Sequence, residues 1–138
     1  LHERRHDRQR ARALLDAALD LAPDDVVALT ARGTLELDAG SPFGARRFFA
    51  RAHELGRTPL TAANLGAALL ALDRFEQARD LLRRAAAPDA PPELFANLAY
   101  ASWSCGDEAE ARAALDRALE TGADARNPRI VALERLLR

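Results

Sequence analysis

The chain has 138 residues, 49% apolar and 30% charged, enough for one domain with a buried core and a solvated surface. With 20 basic and 21 acidic side chains the formal net charge is −1, which excludes a broad electrostatic pull toward nucleic acid or an anionic membrane. No apolar run approaches membrane-spanning length, so membrane insertion is not expected either.

Cys105 is the only cysteine, which rules out an internal disulfide and a cysteine-built metal site. It fits a reducing compartment, so the cytoplasm is the expected location and the periplasm the alternative. There is neither a phosphate-binding glycine loop nor a G-x-S-x-G elbow, so no cofactor and no catalysis are expected of these residues. Because it begins at Leu1 and not at Met, the chain is expected to be a piece of a longer or processed protein.

Alanine and leucine dominate the apolar set and Ile130 is the only isoleucine, so every element is expected to be a helix. The first, over 4–21, ends before Pro23 and carries Ala11, Leu15 and Ala18 on one face. Its arginines Arg4, Arg5, Arg8, Arg10 and Arg12 read as a solvated face, because no aromatic residues interleave them. His2 and His6 stand four apart, but no further ligand converges on them.

The second helix, over 25–39, contains Ala31-Arg32-Gly33 and stops at Gly40. Ser41-Pro42 opens a third over 42–55, which carries Ala45, Phe49 and Ala52 and stops at Gly56. Thr58-Pro59 opens a fourth over 59–72, with Asn64-Leu65-Gly66 at its centre. Asp73-x-x-Glu76 has capping-box form and starts a fifth over 74–87, with Ala78, Leu82 and Ala85. The sixth, over 92–105, contains Asn97-Leu98-Ala99, then Tyr100 and Trp103, and ends at Gly106. Asp107-x-x-Glu110 opens the seventh over 107–121, with Ala111, Leu115 and Ala118 before Gly122. Asn127-Pro128 opens the last, over 128–138.

Four alanines set a period: 45−11 = 34, 78−45 = 33 and 111−78 = 33. Offsets of four and seven from each give a large apolar residue and a second alanine, so A-x3-[LF]-x2-A recurs in register on one helical face. Small residues at two positions let a neighbouring helix approach closely.

This pattern resembles the tetratricopeptide repeat family. Leu65, Gly66, Leu69, Ala78, Leu82 and Ala85 match its motif closely, with Gly33, Ala45, Phe49 and Ala52 before and Phe95, Leu98, Ala111, Leu115 and Ala118 after. Arg32, where Leu is usual, and Ala99, where Gly is usual, depart from it and are expected to change local packing only. The resemblance implies an all-α, right-handed α-solenoid of about eight helices: a half repeat at 1–22, full repeats at 24–57, 58–90 and 91–123, and a terminal capping helix at 127–138.

It further implies a protein–protein interaction scaffold that holds a peptide or helix in a concave groove lined by the first helix of each pair. The groove residues it implies are Thr30, Thr34, Leu60, Asn64, Ala67, Leu70, Asn97, Tyr100 and Trp103. Asn64 and Asn97 are read either as amide rungs along a bound backbone or as bridges between helices. Tyr100 and Trp103 share a face and are read as partner anchors or as packing for the terminal helix. The charged clamp with which some members hold chaperone carboxyl termini is not present in this groove, where its positions hold Thr30, Thr34, Asn64, Glu93 and Asn97. Two other readings stay open: a domain that joins copies of itself into a homo-oligomer, and a regulatory or substrate-recruiting domain of an enzyme whose catalytic part lies elsewhere.

Overall fold

The computed structural model describes residues 2–138. Leu1, in the expected half repeat, and the side chain of His2, from the His2/His6 pair, lie outside the described residues. The described residues form eight helices: α1 (His2–Leu21), α2 (Val26–Asp38), α3 (Pro42–Gly56), α4 (Pro59–Ala71), α5 (Phe75–Ala85), α6 (Pro92–Ser104), α7 (Glu108–Glu120) and α8 (Pro128–Leu137). They fall into two compact units, one ending at Arg57 and one running from Thr58 to Arg138.

In the first unit α2 packs against both α1 and α3. Its core is Ala28, Leu29, Ala45, Phe49 and Ala52. Ala11, Leu15 and Ala18 hold the same register on α1 but stay half-buried, since α2 is the helix that covers them. In the second unit α6 is central and touches α4, α5, α7 and α8. The repeat positions Ala78, Leu82, Ala111, Leu115 and Ala118 are fully buried there. Small residues at the crossing set the helix spacing: Gly33 lies directly on the Phe49 ring and Gly66 on Leu82.

The turn inside each pair is built the same way three times. Gly40, Asp73 and Gly106, 33 residues apart, take the left-handed conformation with φ of 81°, 57° and 84°. The next residue's N–H then reaches back over the helix end: Ser41 to the Glu36 carbonyl at 2.8 Å, Arg74 to Leu69 at 2.8 Å and Asp107 to Ser102 at 2.9 Å. Asp73 is therefore the C-terminal turn residue of α4 and not the N-cap of α5, which corrects the capping-box reading. The cap position falls to Arg74, whose side chain caps nothing. Arg57, with φ 47°, likewise takes the left-handed place expected of Gly56. Asp73→Gly should raise stability by about 0.5–1 kcal/mol, because the left-handed strain on a Cβ-bearing residue exceeds glycine's extra unfolded-state entropy. A urea midpoint equal to or below that of the parent would refute this.

Two of the three caps expected before a proline are made, those of Thr58 and Asn127, whereas Ser41 makes no side-chain cap hydrogen bond to α3. Thr58 and Thr61 form a reciprocal box at the start of α4, with N–H to hydroxyl distances of 3.0 and 3.1 Å. Asn127 accepts from the Arg129 N–H at 2.9 Å. Asp25, which was not singled out, caps α2 by accepting from Val27 and Ala28.

Polar side chains cross-link the helices where the repeat departs from its apolar pattern. Arg32 is buried: its guanidinium donates to Asp16 of α1 at 2.8 Å and to Glu36 of its own helix, and lies 4.9 Å above the Phe48 ring. Arg12 of α1 also reaches Glu36, at 3.3 Å. In the second unit Glu110 of α7 accepts from Arg83 of α5 at 2.7 and 2.8 Å and from the buried Ser102 hydroxyl of α6 at 2.7 Å. Hydrogen bonds from Arg83 hold the Glu110 carboxyl below its ordinary value, against the opposing effect of burial.

Candidate peptide-binding surface

Thr30 and Thr34 lie on α2 in the first unit, and the other seven expected groove residues lie in the second. Thr34 is exposed, but its hydroxyl donates to the Thr30 carbonyl at 3.0 Å and so closes on its own helix. On α4, Leu60 is 57% exposed, whereas Asn64 and Ala67 are half-buried. Leu70 is 3% exposed and belongs to the second unit's core cluster together with Leu98 and Ala101 of α6. This corrects its expected place in the groove: α6 packs along α4 and covers that position.

The two asparagines, equivalent in the repeat, do different things. The Asn97 side chain donates to the Ala63 carbonyl at 3.3 Å and ties α6 to α4. Asn64 makes no hydrogen bond with any described residue, so its amide has both donor and acceptor capacity free at a half-open surface. Tyr100 is half-buried, edge-on to Phe75 of α5 with centroids 6.1 Å apart, and the Arg129 guanidinium from α8 sits 4.4 Å above its ring. Trp103 packs partly against the core cluster. The terminal helix is held by Ile130, Leu133 and Leu137, each at most 2% exposed. Packing against α8 is thus a real role of Tyr100, through Arg129, which leaves part of the ring open.

The surface that results is a strip of α4 and α6 with a short apolar floor, one uncommitted amide at Asn64 and an aromatic edge at Tyr100 and Trp103. No group of three or more His, Cys, Asp or Glu side chains that could hold a metal ion occurs among the described residues. The strip can pair with a peptide backbone and bury apolar side chains.

Residues 92–121, which span α6 and α7, match the model of the tetratricopeptide repeat. The α6–α7 pair is thus similar to a tetratricopeptide repeat. Solved structures extend the likeness in fold to most of the chain. A crystal structure of MamA superposes with a TM-score of 0.76 at 22% identity, covering 87% of this chain and 71% of that one. The Arabidopsis OM64 tetratricopeptide domain gives 0.69 at 21% identity over 82% of this chain and 93% of its own. The TPR2AB domain of yeast Sti1, solved in complex with pHSP90, gives 0.65 at 20% identity over 81% of this chain and 47% of its own. No curated protein sequence matches the chain.

Proposed function

We propose that this chain is a protein-interaction scaffold and that it holds an extended peptide or a helix along the α4–α6 strip of its second unit. The tetratricopeptide fold supports the reading, and a domain of the same fold from yeast Sti1 was solved in complex with pHSP90. The observation that carries it is the free amide of Asn64 on a half-open, otherwise apolar helix face. A side-chain amide can satisfy a peptide N–H and C=O whatever the ligand's sequence, while the surrounding small residues leave room for its backbone.

The test is a peptide array probed with the whole chain and with single variants. Asn64→Ala should weaken captured peptides about fivefold, the worth of one hydrogen bond, and leave the unfolding midpoint in place. Asn97→Ala should instead lower the midpoint, because it breaks the link from α6 to the Ala63 carbonyl. Undiminished capture by a folded Asn64→Ala chain would remove the strip as the binding face.

One observation favours a second reading, self-association. Leu14 and Leu21 on α1 are 73% and 89% exposed, seven residues apart and so on one side of the helix. Light scattering decides it, and a strict monomer at high concentration would exclude this reading.

A further inference from the structure

The arginines at the start of α1 are exposed, as expected of them, but three of them share one side of the helix. Arg5, Arg8 and Arg12, at i, i+3 and i+7, converge on one side of the helix and line a cleft of about 320 Å³ with Gln9, whose remaining wall is Leu35 and Ala39 from the end of α2. Arg5 and Arg8 form no ion pair and no hydrogen bond with any described residue. Arg12 shares Glu36 with Arg32. The acids of the same stretch, Glu3 and Asp7, lie roughly 160–200° around the helix from Arg5.

Charge is also segregated along the chain. Residues 3–12 hold five arginines and two acids, a balance of +3, which leaves 15 basic and 19 acidic groups, or −4, elsewhere. A polyanion such as nucleic acid needs a long basic track, and the balance of −4 over the other residues opposes one. A short acidic segment needs only the cleft. The three guanidinium positions span about 10 Å of helix, the reach of about three extended residues. Leu35 and Ala39 offer an apolar wall to a neighbouring aliphatic side chain.

We propose that this cleft is a second binding site, distinct from the α4–α6 strip, for a protein segment in which two or more glutamates or aspartates adjoin a leucine-like residue. Arg5 and Arg8 pair with the carboxylates, and Leu35 and Ala39 receive the aliphatic side chain. Guanidinium forks suit carboxylates because they donate two parallel hydrogen bonds.

The probe is a fluorescein-labelled peptide containing Leu-Glu-Glu-Leu, titrated by anisotropy into the full chain. Saturable binding is expected, weakening as salt is raised. Arg5→Ala/Arg8→Ala should weaken it about tenfold with little change in the unfolding midpoint, since both side chains are exposed and neither forms an ion pair or hydrogen bond with a described residue. Asn64→Ala should leave it unchanged, which separates this site from the strip. The Gln-for-Glu peptide should not bind. Binding insensitive to the double variant, equal binding of the Gln peptide, absence of saturable binding, or tighter binding of a single-stranded oligonucleotide than of the acidic peptide would each overturn the proposal.

Discussion

Gly33→Ala and Gly66→Ala should both destabilise the chain, although alanine is normally the better helix residue by about 1 kcal/mol. A Cβ on Gly66 would stand 2.6 Å from Leu82 Cδ2 and 2.9 Å from its Cγ, and Leu82 is fully buried. A Cβ on Gly33 would stand 2.5 and 2.6 Å from two ring carbons of Phe49, which is 2% exposed. Overpacking of this kind costs about 1–3 kcal/mol after relaxation and outweighs the gain in propensity. The order is also fixed. Leucine can turn a methyl aside, whereas a phenyl ring must move as a rigid plate, so Gly33→Ala should cost more. In thermal unfolding followed by circular dichroism the loss should appear as a fall in Tm of roughly 5–10 °C. The third pair supplies the control: Ala99 already sits in this register opposite Leu115, both fully buried, so Ala99→Gly should destabilise there. A Tm raised by either glycine replacement would show that the helices separate at little cost.

That register was legible because it is carried by residue size. Alanine at 45, 78 and 111 and a large apolar residue four places on are dictated by close crossing, and the structure buries all of them. Element ends were harder, since one short pattern serves two purposes. Asp73-x-x-Glu76 has the form of a helix start, yet Asp73 closes α4 in the left-handed conformation. The decisive signal was its place 33 residues from both Gly40 and Gly106, not its local motif. Asp107 does cap, accepting from the Glu110 N–H at 3.0 Å, but Glu110 turns away to Ser102 and Arg83 and leaves the box half made.

The expected surface was legible in direction but not in depth. Position along α4 indicates which way Leu70 points, while its burial depends on how closely α6 is laid beside it. For the same reason Asn64 and Asn97 could not be told apart in sequence: only the approach of α6 to the Ala63 carbonyl commits one amide and leaves the other free.

Arg32 is the departure with the largest expected consequence. Its register mates 33 and 66 residues on are Leu65 and Leu98, and those of Glu36 are Leu69 and Ser102. The first unit thus places an ion pair where the middle repeat places two leucines. Arg32→Ala should cost about 2–4 kcal/mol, because it strips Glu36 of its main partner while that side chain is 13% exposed. The loss stays below that of a fully orphaned charge because Arg12 remains 3.3 Å away. Arg32→Leu/Glu36→Leu, which installs the middle repeat's own pair, should be at least as stable as the parent, since well-packed apolar residues commonly match or exceed a buried ion pair. Asp16, half-exposed, is released to solvent at little cost.

Acid titration separates the two states further. The hydrogen bond from Arg32 lowers the Glu36 pKa below its ordinary 4.5, with burial opposing and the Arg32 and Arg12 charges assisting. A carboxylate whose folded pKa is depressed contributes stability that is complete above its unfolded pKa and is lost as pH falls through the folded value. The parent should therefore lose this contribution below about pH 4.5, whereas the double leucine variant, lacking the group, should show a shallower fall there. A double variant as unstable as Arg32→Ala, or one with the parent's acid profile, would mean that the network specifies how α1 seats on α2 in a way apolar packing cannot replace.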